Sequence, residues 1–173
     1  MEYINIITHI ILIMSLGWYL ITNLQWYNYK LERVILKHHK WQWHITYFLS
    51  PIVLFYIIPE PYYAAYFFII YMTSFILWNK KLDRAVVLTS RVKRFLAILL
   101  FTTFAMTALC LSSPSCTNMV IFTPLILTYG ISTLLEKIFF ISFKNKGKQR
   151  IKSIAGLRTI AITASYGKTS IKN

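Results

Sequence analysis

Acidic residues are scarce: five Asp and Glu stand against nineteen Lys and Arg in 173 residues, for a net charge of +14. Charge of either sign is thin at 14% of the chain, where a soluble domain usually carries about 25%. Cysteine is limited to Cys110 and Cys116, and no zinc-ligand spacing exists. His38, His39 and His44 crowd together, but Glu32 is the only nearby carboxylate and the surrounding lysines repel cations. That combination argues against a metal site. A cleavable leader is also missing. Met1-Glu2-Tyr3 has no basic start, and the apolar run that follows continues into Trp18, Tyr19 and Trp26 without a small-residue cleavage site.

What the chain does have is long apolar blocks. It is 57% hydrophobic and 17% aromatic, with mean hydropathy +0.54. A helix needs about 20 mostly apolar residues to cross the hydrocarbon layer. Five blocks approach that length: about Tyr3 to Leu24, Trp43 to Ile58, Tyr62 to Trp78, Phe95 to Leu111, and Thr117 to Leu135. Pro59-Glu60-Pro61 stops the second, and Ser112-Ser113-Pro114 closes the fourth. Helices are expected because lipid cannot satisfy backbone groups, so each span must bond internally. The blocks are too uniformly apolar for the alternating strands of a barrel. The second and third are short, and a re-entrant hairpin is the alternative to two crossings.

The charges sort by loop. Lys30, Arg33, Lys37 and Lys40 fill the first gap, Glu60 alone the second, and Lys80, Lys81, Arg84, Arg91, Lys93 and Arg94 the third. The fourth gap carries no charge, and Lys144, Lys146, Lys148, Arg150 and Lys152 follow the fifth block. Under the positive-inside rule this alternation predicts an all-α membrane domain over residues 1–143, with the N-terminus outside and the C-terminus in the cytoplasm. It also assigns the excess positive charge to topology and anionic lipid headgroups rather than to nucleic acid.

Smaller features follow from this frame. In Asn79–Arg94, Leu82, Ala85, Val86, Thr89 and Val92 recur at helical spacing, which predicts a helix lying in the headgroup layer. In the first basic gap, Leu31, Val34 and Ile35 dip into lipid, with Trp41 and Trp43 at the interface. His9 is expected to bond to a neighbouring span or sit near the outer interface. Lys137, beside Glu136, snorkels at the inner end of the fifth span. Pro51 and Pro124 are expected to kink their spans. Cys110 and Cys116 lie near one outer end and could pair, but two structurally idle thiols are the expectation.

Composition changes abruptly after Phe143. Residues 144–156 read as a basic cytoplasmic linker, and residues 157–173 as the start of a soluble α/β ATP-binding domain. Leu157-Arg158-Thr159-Ile160-Ala161-Ile162-Thr163 is rich in β-branched residues and too short to span, so a strand is predicted there. Gly167-Lys168-Thr169-Ser170 follows at once. Strand, tight loop and Gly-Lys-Thr-Ser is the layout that phosphate binding needs, with loop N–H groups around the phosphates and a helix N-terminus behind them. Lys168 would reach the β/γ-phosphates of ATP, and the Thr169 hydroxyl would hold Mg²⁺. The strict P-loop pattern wants glycine where Ile162 stands.

Thr163-Ala164-Ser165-Tyr166-Gly167-Lys168-Thr169-Ser170 resembles the ATP-binding loop of the Mur ligase family, which reads Thr-Gly-Thr/Ser-x-Gly-Lys-Thr/Ser-Thr/Ser. Thr163, Ser165, Gly167, Lys168, Thr169 and Ser170 match, and Ala164 replaces a glycine. The Ser165 variant followed by Thr-Ser-Ile-Lys is closest to the D-alanyl-D-alanine-adding branch. Tyr27-Asn28-Tyr29-Lys30-Leu31-Glu32-Arg33-Val34-Ile35 and His38-His39…Trp43-His44, ahead of a span with Pro51, resemble the membrane extension found before the ATP domain in some bacterial versions. The resemblance implies a ligase of peptidoglycan precursor synthesis at the bacterial inner membrane. Its ATP phosphorylates the carboxylate of UDP-MurNAc-tripeptide, and the amine of D-Ala-D-Ala attacks the acyl phosphate. The loop lies at the end of the chain, so the reading expects the N-terminal part of a longer ligase or a truncated frame, inactive alone. The alternative is a small non-enzymatic scaffold or transporter subunit with a basic cytoplasmic tail.

Overall fold

The computed structural model describes residues 2–36, 40–82, 85–112 and 122–154, and among these every regular element is helical. In order they are α1 (Glu2–Trp26), α2 (Leu31–Leu36), α3 (Trp41–His44), a π-helical stretch Ile45–Leu49, α4 (Ser50–Ile57), α5 (Glu60–Tyr66), a second π-helical stretch Phe67–Tyr71, α6 (Met72–Lys80), α7 (Ser90–Ser112) and α8 (Phe122–Ser153). Helical dihedrals at His44 and Ser50 join α3 to α4 without a break. Tyr66 and Met72 join α5 to α6 in the same way. Ile58 and Pro59 are extended, so the proline turn ends one helix and starts the next. Three helices, α1, α7 and α8, are long and apolar enough to cross a membrane.

The chain divides into two compact units, Met1–Thr133 and Leu134–Asn173. In the first, α1 is the axis. Leu12, Ile13, Leu16, Tyr19, Ile21 and Leu24 are buried along it. It packs most extensively on α7 and also meets α2, α5 and the first π-helical stretch. Gly17 sets the approach of α7, because a Cβ there would overlap the Leu99 side chain. Small residues at helix contacts let backbones come close where dispersion must hold them together.

Polar residues in this core are satisfied over short distances. Thr22, Asn23, Thr103 and Thr107 each bond to the carbonyl four residues back, at 2.7–2.8 Å. Others tie elements together. Thr102 and Thr128 link α7 to α8 at 2.9 Å. Trp18 Nε1 donates to Asn79 Oδ1 at 3.0 Å. The turn after α1 holds Asn28 and Tyr29 at φ 54° and 58°, a left-handed conformation uncommon for a bulky residue. Two contacts hold it there. The Tyr29 N–H bonds to the Leu24 carbonyl at 2.6 Å, and the Arg91 guanidinium lies 3.6 Å over the Tyr29 ring.

Two expectations are corrected. No helix lies over residues 85–89, where a headgroup-layer helix was expected; α7 begins only at Ser90. Two interactions, one of them long-range, stop a helix from forming. Gln25 clamps the Val87 backbone on both sides, at 2.8 and 3.1 Å. Thr89 Oγ1 then accepts the Val92 N–H as an N-cap. Secondly, Cys110 is disulfide-bonded, not idle; Cys116 lies outside the described residues. Pro124 lies within the apolar span Thr123–Ser153.

In the second unit, the described residues continue α8 to Ser153, beyond the predicted span end at Leu135. Residues 144–153, read from composition as a linker, are helical. No proline interrupts them, Lys, Gln and Arg are good helix formers, and Arg150 and Lys152 in the last turn complement the helix dipole. Ile138, Phe139, Phe140, Ile141 and Phe143 are exposed.

Candidate functional site

Thr163, Ala164, Ser165, Tyr166, Gly167, Lys168, Thr169 and Ser170, expected from the sequence to form a nucleotide loop, lie outside the described residues, as do His38 and His39 and the predicted strand. The site that the structure does assemble lies in the first unit, around His44.

His44 stands at the end of α3 and joins three elements. Its Nε2 lies 3.0 Å from the Val34 carbonyl of α2, and its Nδ1 lies 2.8 Å from the Tyr19 hydroxyl of α1. A carbonyl only accepts, so Nε2 carries the proton. In the neutral ring Nδ1 then accepts, and Tyr19 donates. Both ring nitrogens are thereby engaged, and the ring meets Tyr19 edge-on at 5.8 Å. Sequence reasoning considered His44 only as a metal ligand; its bonding partners are a carbonyl and a phenol. Among the described residues no three metal-ligating side chains converge.

Beside this bridge lies a cavity of about 600 Å³, open on one side. Leu31, Val34 and Ile35 of α2 line it together with Trp41, Phe48 and Leu49, and α8 supplies Leu125 and Ile126 opposite. No carboxylate, amine or thiol is among its lining residues. Of the polar residues at its wall, Tyr19 and His44 already have each other and Val34, and Trp41 and Tyr129 add rings to an otherwise apolar lining. The cavity therefore asks for an apolar occupant.

Comparison with known protein families, curated proteins and solved structures finds no match. The chemistry must be read from the residues themselves.

Behind the bridge, aromatic rings pack closely. Trp78 lies 5.1 Å from Tyr19, 5.3 Å from Tyr47 and 5.2 Å from Phe75. Tyr63, Phe67, Tyr71 and Phe75 stack in a column at four-residue spacing, with centroids 6.1, 5.3 and 5.7 Å apart. The column crosses the second π-helical stretch. The first π-helical stretch has a visible cause. In a regular helix the N–H of residue 51 would bond to the carbonyl of residue 47, and Pro51 has none. The Tyr71 hydroxyl supplies the missing donor to the Tyr47 carbonyl at 3.2 Å. Ser15 Oγ stands 3.2 Å from the same hydroxyl. Ser15 Oγ is also the donor to the Leu12 carbonyl at 2.8 Å, so the Ser15 hydroxyl sits between its own helix and Tyr71. Tyr63 likewise donates to the Pro51 carbonyl at 3.0 Å. A proline that sequence reasoning marked only as a kink is thus the point to which α1 and α5–α6 are fastened.

His9 makes no such link. It packs against Phe55 at 5.7 Å, and its Nε2 is buried without a hydrogen-bond partner among the described residues.

Proposed function

We propose that this chain is a five-pass membrane anchor, N-terminus out and C-terminus in, that leads into the ATP-binding loop of a peptidoglycan-precursor ligase. The reaction class is ATP-dependent amide formation, with D-Ala-D-Ala joined to UDP-MurNAc-tripeptide. The observation that carries the ligase reading is the order Thr163-Ala164-Ser165-Tyr166-Gly167-Lys168-Thr169-Ser170 directly after a β-branched run. Lys168 and the loop N–H groups would hold the phosphates of ATP, and Thr169 would hold Mg²⁺.

Support for five passes comes from helix continuity combined with loop charge. Trp41 to Ile57 and Glu60 to Lys80 are each helical throughout. At 1.5 Å per residue they are about 25 and 31 Å long, near the thickness of the hydrocarbon layer. Each basic segment then falls on one side of the membrane. The disulfide at Cys110 supports an outward end for α7, because disulfides persist in oxidising compartments.

The test has two parts. A reporter fused after Asn173 is expected to be active only in the cytoplasm of a bacterial host; activity only outside would remove ATP from reach and overturn the reading. In membranes, a photoreactive ATP analogue is expected to label the loop in a Mg²⁺-dependent way, with labelling lost in Lys168→Ala and its Mg²⁺ dependence lost in Thr169→Val. Absence of saturable labelling would favour a non-catalytic scaffold or transporter subunit. In a chain that continues into the full ligase, deleting residues 1–143 should release the enzyme from membranes and leave turnover intact.

A further inference from the structure

We infer that the cavity beside His44 holds one acyl chain of an anionic phospholipid, with the phosphate resting against Lys30 and Arg33. The inference rests on the membrane placement proposed above and not on the ligase reading.

Shape and polarity define the tail. The cavity, at about 600 Å³, falls within the size range of ligand pockets. Its wall is overwhelmingly apolar, and of its polar residues Tyr19 and His44 pair with each other and with the Val34 carbonyl, so hydrocarbon can enter without breaking that bridge.

Charge defines the head. The α2 helix that lines the cavity with Leu31, Val34 and Ile35 also carries Arg33, and Lys30 immediately precedes it. Neither of these two side chains makes an ion pair or hydrogen bond among the described residues. Lys40 lies 4.3 Å over the Trp43 ring, close along the chain to the cavity residue Trp41, which is 57% exposed. Along this stretch Lys30, Arg33 and Lys40 outnumber the one carboxylate, Glu32. An apolar slot lined by a short helix that carries basic residues fits an amphiphile with a negative head, and basic pockets between membrane helices recognise anionic lipid on these grounds. Trp41 suits the boundary between the two, since indole favours the membrane–water interface.

Native mass spectrometry of the full chain in mild detergent tests this, with titration of phosphatidylglycerol and phosphatidylcholine of identical chains. One phosphatidylglycerol per chain is expected to saturate, about tenfold or more tighter than phosphatidylcholine, the scale that two basic side chains supply at an anionic surface. Ile126→Trp should fill the cavity and abolish saturable binding. Ile126 is 68% exposed, so the melting temperature should not move. Lys30→Gln with Arg33→Gln should bring phosphatidylglycerol down to the phosphatidylcholine level, while Arg33→Lys keeps the preference. Equal affinity for the two lipids in the parent chain overturns the proposal. So does unchanged binding in Ile126→Trp, stepwise uptake of several lipids without saturation, or an Ile126→Trp effect on oligomeric state alone, which would place a second copy in the cavity. Alkaline extraction separates the two layers of the argument. A chain that leaves the membrane refutes the membrane placement; a chain that stays but shows no lipid preference refutes only the lipid site.

Discussion

α1 and α8 are both apolar enough to cross a bilayer, yet 56% of the best membrane-length window of α1 is buried inside the protein and only 11% of that of α8. Apolarity says that a helix must leave water. It does not say whether protein or lipid replaces the water. The distinguishing marks are the residues that hydropathy discounts. α1 carries Gly17 against Leu99, and Thr8, Ser15, Thr22 and Asn23 are buried along it. α8 presents Ile126, Leu134, Ile138, Phe140 and Phe143 outward. Small and hydrogen-bonding side chains mark the helix that other helices surround.

The contrast can be broken most severely at Gly17. Gly17→Leu should cost about 3 kcal/mol or more, because overpacking a tight helix contact forces backbone shifts. Chemical denaturation in mixed micelles reads this directly. Leu99→Ala in the same chain should recover part of the loss, and a loss with no recovery would mean that the α1–α7 contact is not where the damage lies.

A second prediction concerns the proline. Tyr71→Phe leaves the Tyr47 carbonyl without its donor and should cost about 1–2 kcal/mol, the penalty of an unmade buried hydrogen bond. In a Pro51→Ala background the restored N–H can serve that carbonyl, so the same change should cost much less. Equal costs in both backgrounds would refute the link between Pro51 and Tyr71.

Tyr19→Phe is expected to be milder, about 0.5–1 kcal/mol, the range measured for hydrogen bonds between membrane helices. It removes the partner of His44 Nδ1 and a side-chain contact of Asn23, while His44 Nε2 keeps the Val34 carbonyl and Asn23 keeps the Tyr19 carbonyl. Smallest of all, Phe140→Ala on α8 should change stability by less than about 0.5 kcal/mol, as exposed substitutions do. A large loss there would show that Phe140 has a partner after all and would shrink the difference between the two helices.

Much of the helical layout was legible in the sequence, for a physical reason. Apolar blocks and the Pro59-Glu60-Pro61 break define helix positions whatever surrounds them, and α1, α7 and the two joined helices fall within a few residues of the blocks. The π-helical stretches were not legible. The first follows from Pro51 only once Tyr71 is seen across from it; nothing in Phe67–Tyr71 itself signals the second. The non-helical segment at 85–89 hid behind helical spacing, because the Gln25 clamp that holds Val87 comes from 62 residues away in the chain. The His44 bridge was missed for a related reason. Histidine clustered with His38 and His39 suggests metal, whereas its partners Tyr19 and Val34 carry no signal until folding brings them together. The proposed nucleotide loop is the reverse: the proposal rests on the order of adjacent residues, Gly167-Lys168-Thr169-Ser170, and calls on no distant partner.

The buried polar residues of α1 bear on how such a chain is made. Thr8, Ser15, Thr22 and Asn23 each bond to a carbonyl three or four residues earlier on α1 itself. Each of these four side chains therefore has a bond that forms with α1 itself, so the helix can enter a bilayer before its neighbours are packed around it.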